Sequence, residues 1–250
     1  MEAPYLQQNQ PAGVPPLALT GERTLPDVPE ENYWFQRHLA VYEWIAERVV
    51  GMTVTDLACG EGYGADALAG AAAEVAAVDA NPEAHAHAAA RYRRPNLHFE
   101  RDLVENVIGP RDAIVFLQTI EHIADADALL ERIAAAAPLA YISTPNRLTL
   151  APPGAEKSDN PWHLREYTLE EYRSLLAPHF GSVEILGVRH AGRLRVHEWA
   201  LRVGWDRLHT ALGVTAAFYE RFTPAIRATD FRLGAERLEG ALDFLAVCRR

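Results

Sequence analysis

Hydrophobic positions along the chain follow two rhythms. Between residues 32 and 50, Trp34, Phe35, His38, Leu39, Tyr42, Ile45 and Val49 recur at helical spacing, which predicts a helix whose aromatic stripe faces a core or lines a pocket. From Thr53 onward, short apolar runs alternate with helix-period segments. Residues 53–58, 74–78, 96–99, 113–117 and 139–143 are expected as strands, with helices over 64–71, 82–93 and 124–136 between them. This alternation specifies an α/β fold, a Rossmann-like open parallel sheet flanked by helices on both faces. Right-handed crossovers then bring strand carboxyl ends and helix amino ends to one edge, where a small molecule binds in a crevice.

The pattern loosens on both sides of this block. Residues 1–31 are proline-rich with few periodic apolar positions and read as an N-terminal arm, leaving 32–250 as one domain. Residues 148–161 mix Pro, Gly and charge, as expected of a lid over the crevice. Thr168 followed by Glu171 predicts a capping box that opens a helix running through Leu176. Residues 183–188 and 242–248 read as further strands. Between them, 196–212 and 215–227 are helical in period, so 189–241 is expected to be a helical insertion that walls the pocket or forms a homodimer surface.

Composition narrows the class. At 250 residues and 49% hydrophobic, the chain can bury one large core. Its 34 acidic against 24 basic residues leave a net charge of −10, which argues against coating a nucleic-acid backbone. Cys59 and Cys248 lack the spacing of a disulfide framework or a zinc site. No apolar run approaches the ~20 residues needed to cross a bilayer, so no transmembrane segment and a cytoplasmic location are expected.

The strongest local signal is the run from Asp56 to Ala65, where Gly60 and Gly62 follow a strand and enter a helix. Their small cross-section lets backbone amides approach a ligand. Asp79, 19 residues after Gly60, ends the next strand, where a carboxylate can accept both ribose hydroxyls of an adenosine-bearing cofactor. Two classes share this pattern. Gly60, Gly62 and Ala65 fit the Gly-x-Gly-x-x-Ala form of a nicotinamide dinucleotide site, in which the helix start faces a pyrophosphate. In an S-adenosylmethionine site, Asp56 and the carbonyls around Ala58 would instead attract the methionyl ammonium, while Asp102 and Leu103 would hold the adenine edge.

With Asp79, Phe116 to His122 and Ser143 to Arg147, the Asp56–Gly64 run resembles the class I S-adenosylmethionine-dependent methyltransferases. The resemblance covers roughly residues 31–188 and 242–248. It implies a seven-stranded mixed sheet with the last strand antiparallel, and a methyl donor bound by residues that map to Gly60, Gly62, Gly64, Asp79 and Asp102. Gly21-Glu22-Arg23, Ile120-Glu121-His122, Ser143-Thr144-Pro145-Asn146 and Asn160-Pro161-Trp162-His163 extend it to methyltransferases of bacterial glycan synthesis, those linked to actinobacterial methylated glucose lipopolysaccharides in particular. This implies O-methylation of a sugar hydroxyl in a glycan or polysaccharide precursor, with glucose 6-OH as the specific expectation. The competing accounts are a methyltransferase for another small metabolite, a NAD-dependent oxidoreductase, and a module that binds S-adenosylmethionine without catalysis.

A sugar hydroxyl benefits from losing its proton as its oxygen attacks. His122, after the fourth strand, is the first candidate base and His163 the second, with Glu121 orienting His122 or holding a substrate hydroxyl. Gln118 and Asn146 offer neutral groups for positioning, and Tyr33, Trp34 and Tyr167 offer aromatic faces. Magnesium would orient two sugar oxygens, but no ligands are assigned to it, because Asp125 and Asp127 equally fit capping of a helix.

Overall fold

The apolar runs fold into strands β1 (Thr53–Leu57), β2 (Glu74–Val78), β3 (Leu97–Glu100), β4 (Ala113–Leu117) and β5 (Leu139–Pro145). Before and between them lie helices α1 (Asn32–Ala46), α2 (Tyr63–Ala69), α3 (Pro82–Arg91) and α4 (Ala126–Ala136). Then follow α5 (Arg147–Leu150), α6 (Leu169–Leu176), β6 (Ser182–His190), α7 (Gly192–Arg202), α8 (Trp205–Ala211), α9 (Thr215–Phe222), β7 (Phe231–Gly234) and β8 (Asp243–Arg249). This computed structural model describes residues 7, 10–21, 23–106, 109–152 and 154–250. Parts of the expected arm, Glu22 of the Gly21-Glu22-Arg23 motif, and Pro153 of the expected lid lie outside the described residues.

The sheet order is β3-β2-β1-β4-β5-β8-β6-β7. β3 through β5 are parallel, and β8 enters between β5 and β6 antiparallel to both, as expected of the last strand. Every residue of β4 is buried, as a central strand covered on both faces requires. Its side chains alternate: Ala113, Val115 and Leu117 pack with α1 and α2, while Ile114 and Phe116 pack with α4 and α6.

The count of seven strands is corrected to eight. Phe231–Gly234 pairs antiparallel with β6 at the sheet edge, inside the expected helical insertion of 189–241 but beyond the two helices read there. Four residues with one buried aromatic are too short a period-2 signal to stand out against the helical segments before them.

Local chemistry sets the helix starts that face the site. Asn81 accepts hydrogen bonds from the amides of Glu83 and Ala84, with Pro82 in the first helical position of α3. Asp125 caps α4, and Thr168 with Glu171 forms the reciprocal capping box of α6. The arm folds back onto this frame, with Leu17, Leu25 and Val28 buried around Ala84 of α3.

Candidate active site

The sequence runs outward from β1 to β3 on one side of the sheet and from β4 to β5 on the other. Neighbouring strands β1 and β4 therefore lead their connections in opposite directions, opening a crevice at their carboxyl ends. A cleft of about 790 Å³ lies there. Ala58 (φ 58°) and Gln118 (φ 50°), the residues just past β1 and β4, both line it in the left-handed backbone region. For residues with a Cβ, that region costs on the order of 1 kcal/mol or more, so the surrounding bonds must hold both turns. Gln118 is fixed by its backbone N–H, which donates to the Ser143 carbonyl and hydroxyl, and by Nε2, which donates to Ser143 Oγ at 3.0 Å.

The three glycines of the turn divide their work. Gly60 lines the cleft, and a Cβ there would meet open space. A Cβ on Gly62 would lie 2.9 Å from Ala88 and 3.1 Å from Phe99 and Tyr92, and one on Gly64 would lie 2.2–2.4 Å from the Tyr42 ring. Neither Gly62 nor Gly64 is part of the lining. They serve close packing of α2 against α3, β3 and α1, and of the three only Gly60 lines the cleft.

Asp79 lines the cleft with its carboxylate oriented by two backbone amides, Gly60 N–H and Asn81 N–H, each at 2.8 Å. Asp56 lies behind the wall and is fully buried. Oδ1 accepts from the Tyr42 hydroxyl at 3.3 Å, and Oδ2 is a buried oxygen with no partner. Burial pushes its carboxyl up to about 8, the Tyr42 hydrogen bond opposes this, and the nearby Asp79 charge adds to it. On the third-strand side, Leu103 and Val104 line the cleft but Asp102 does not. The Asp102 carboxylate accepts from Leu103 N–H and Asn106 Nδ2, which hold it below the usual range. Of the pair expected at the adenine edge, Leu103 lines the cleft, while Asp102 closes its own turn.

The opposite wall carries the candidate acid–base groups. Glu121 is 1% exposed, and Thr144 Oγ1 donates to its carboxylate at 3.1 Å; burial pushes the carboxyl up to about 8. Its backbone carbonyl accepts from the amides of Leu164 and Arg165, just beyond the expected lid of 148–161; Leu150 and Asn160 of that segment, and His163 after it, line the cleft. His122 Nδ1 lies 2.7 Å from the Trp162 carbonyl, a contact that fixes the proton on Nδ1 and the lone pair on Nε2. The His163 ring is bonded at both nitrogens, Nδ1 to Glu166 at 2.6 Å and Nε2 to Asn160 Nδ2 at 3.0 Å. Both rings are thus oriented through Nδ1, His163 by a carboxylate and His122 by a backbone carbonyl.

Other expectations resolve into structure. Asn146 is buried, donating to the carbonyls of Glu239 and Ala241 and capping α5, and Tyr167 is buried outside the cleft. Tyr33 packs on Phe231 and His190, while Trp34 lines the cleft at 38% exposure. Asp125 is occupied as a helix cap and Asp127 pairs with His179, so neither belongs to a cation cage here.

Three cleft residues escaped the sequence. Arg37 makes a bidentate pair with Asp243, Nε to Oδ2 at 2.6 Å and the second bond from Nη2 to Oδ1, both side chains buried at the cleft floor. The partners are 206 residues apart, so no local spacing reveals them. A charged residue within the aromatic stripe of α1 was the available signal. Glu61, also buried, accepts from Tyr92, pairs with His87 and Arg91, and bonds Gln7 of the arm.

Residues 33–203 match the family described as a methyltransferase domain. A probable S-adenosylmethionine-dependent methyltransferase of Mycobacterium tuberculosis is 41% identical over 185 residues, 72% of this chain and 67% of that protein. One described in the same words from Mycolicibacterium smegmatis is 36% identical over 249 residues, 94% of this chain and 95% of that one. Among solved structures, a possible histamine N-methyltransferase from Thermotoga maritima aligns with a TM-score of 0.58 at 13% identity, covering 88% of this chain and 95% of that one. The S-adenosylmethionine complex of magnesium protoporphyrin IX methyltransferase from Synechocystis aligns at 0.52 and 14% identity, over 91% and 86%. At these identities the structural matches speak to the fold.

Proposed function

Because this chain belongs to the S-adenosylmethionine-dependent methyltransferases, we propose that it is an O-methyltransferase acting on a sugar hydroxyl of a glycan or polysaccharide precursor. The observation that carries the acceptor class is the lining of the cleft beyond the donor edge. Trp34, half-exposed and with the Arg37 guanidinium 5.0 Å from its ring centroid, shares this lining with Glu31, Asp243, His122 and Asn160. A pyranose has an apolar C–H face and a rim of hydroxyls, and an aromatic plane ringed by donors and acceptors matches both. The likeness of the Glu121-His122 and Asn160–His163 motifs to glycan-synthesis methyltransferases supports the same class, with a glucose 6-hydroxyl as its specific form.

The donor edge fits S-adenosylmethionine. Asp79, already oriented by Gly60 and Asn81, retains lone pairs for two ribose hydroxyls, and Leu103 and Val104 offer an apolar wall for adenine. The unpartnered Asp56 Oδ2 lies behind the glycine turn as a buried acceptor that favours positive charge nearby.

When bound, S-adenosylmethionine supplies a methyl group already activated on a sulfonium sulfur. The protein then has to align the acceptor and accept its proton. His122 Nε2 takes that proton, and the Trp162 carbonyl on Nδ1 stabilises the resulting imidazolium. Gln118, locked by Ser143, orients the acceptor at the strand end without adding a charge.

The test is transfer of radiolabelled methyl groups to fractionated glucose, mannose and lipid-linked glycan acceptors, followed by location of the new methyl ether. Labelled sugar ether is the expected product. Labelling of a quinone, amine or phenol instead would keep the enzyme class and refute the sugar. Donor binding with no transfer to any acceptor would favour the non-catalytic module.

A further inference from the structure

We propose that Glu121, His122 and His163 form a binding site for one divalent transition-metal ion on the acceptor wall of the cleft. One ligand atom from each residue lies within 4.8 Å of the other two, and all three residues line the cleft. Glu121 and His163 are 1% and 6% exposed. Two imidazoles and one carboxylate, brought together from the turn after β4 and from the segment before α6, form the donor set of a facial triad with open positions.

The surroundings of these groups point the same way. Histidines that bind metals hold their second nitrogen on a carboxylate or a backbone carbonyl, which fixes the tautomer and aims the other lone pair. Both arrangements are present: His163 Nδ1 on Glu166 at 2.6 Å, and His122 Nδ1 on the Trp162 carbonyl at 2.7 Å. The two rings meet edge to face with centroids 5.0 Å apart. Glu121 is itself positioned by Thr144. Bonds of about 2.0–2.2 Å to one ion suit three ligand atoms gathered within 4.8 Å, and the Asn160 amide on His163 Nε2 is one contact an ion would displace.

The donor set selects the ion. Magnesium favours oxygen ligands and retained waters, whereas imidazole with carboxylate suits manganese, iron(II), cobalt or zinc. With Glu121 ionised, the site carries one negative charge against the two positive charges of the ion. Because all three residues line the cleft, an acceptor hydroxyl bound to such an ion would become more acidic. That use rests on the acceptor reading above; ion binding itself does not. The His122 Nε2 lone pair cannot hold an ion and receive a proton together, so in the loaded protein His122 is a ligand, and the proton released from the hydroxyl passes to solvent.

The full chain, stripped with chelator and desalted, is titrated with manganese, zinc and magnesium chlorides, with bound metal counted by elemental analysis and cobalt(II) loading followed by visible absorption. One equivalent of manganese or zinc, bound at least tenfold more tightly than magnesium, is expected. Glu121→Gln and His122→Ala should each weaken binding at least tenfold, and Glu166→Gln about 10- to 100-fold through the His163 tautomer. His179→Ala, outside the cleft, should leave it unchanged, and circular dichroism with thermal melts verifies that each variant folds. No binding by the parent chain, or equal binding by the Glu121 and His122 variants, overturns the site. Methyl transfer to a sugar that proceeds unchanged with chelator, in a chain that binds no ion, overturns the metal proposal while sustaining the proposed activity. Stoichiometric, variant-sensitive ion binding without sugar methylation does the reverse.

Discussion

The substitution Asp56→Asn isolates the most costly ionisation in the donor half of the cleft. The carboxyl is fully buried with one oxygen unpartnered and titrates near 8, against 3.8 for an unburied aspartate. A folded-state value raised this way means that the native protein holds a proton the unfolded chain has released. The resulting stability is complete below the unfolded value and is lost as pH rises through the folded one. Between pH 6 and 8 the loss approaches about 1.4 kcal/mol per pH unit and flattens near the upper end, giving on the order of 2 kcal/mol over the interval. The introduced amide has the shape of the protonated acid and cannot ionise. The variant should therefore match the parent only below about pH 4, where both states of the parent keep the proton, and exceed it by about 2 kcal/mol more at pH 8 than at pH 6, roughly 4–8 °C in melting temperature for a chain of this size. Urea unfolding at half-unit pH steps, with both proteins in the same buffers, reads this difference. Binding of the cationic donor should pull the Asp56 value down. Calorimetric titrations at pH 7 in buffers of different ionisation enthalpy should then show protons released by the parent and fewer by the variant. Parallel pH–stability profiles for the two proteins would refute the reasoning.

Asp79→Asn should weaken S-adenosylmethionine binding about 10- to 100-fold by removing charge-assisted acceptors from the donor edge, and an unchanged dissociation constant in calorimetry would remove Asp79 from that role. His122→Ala should lower kcat for methyl transfer at least 100-fold while leaving donor affinity within a factor of two. Loss of donor binding along with activity would mark the residue as a brace for its turn. Gly64→Ala places a methyl group inside the Tyr42 ring and should cost about 1–3 kcal/mol in chemical denaturation; no loss would mean that α1 and α2 pack less closely than described.

The parallel half of the sheet was readable because its strands are short, mainly apolar runs divided by segments of helical period, the central strand β4 being apolar throughout and buried on both faces, and the capping box of Thr168 and Glu171 announced α6. β7 was not, since its four residues sit among segments of helical period. In the site, Gly60, Asp79, Leu103, Gln118, Glu121 and His122 reach the cleft from turns whose place along the sheet edge follows from strand order. Gly62, Gly64 and Asp102 belong to the same motifs but serve packing and turn closure, a distinction that depends on Tyr42, Ala88 and Asn106, which the motifs do not mention. Arg37 with Asp243, and Glu61 with Gln7, are long-range pairs, and a single sequence records no trace of pairing across such separations.

The two amides that Leu164 and Arg165 donate to the Glu121 carbonyl, together with the Trp162 carbonyl on His122, splice the loop before α6 into the reactive wall. Grafting a foreign loop there to retarget the enzyme would therefore disturb proton handling and substrate choice in one stroke. A library that varies Arg23 and Thr24 of the arm, which line the cleft, leaves those bonds intact, whereas residues 192–222 supply none of the described lining.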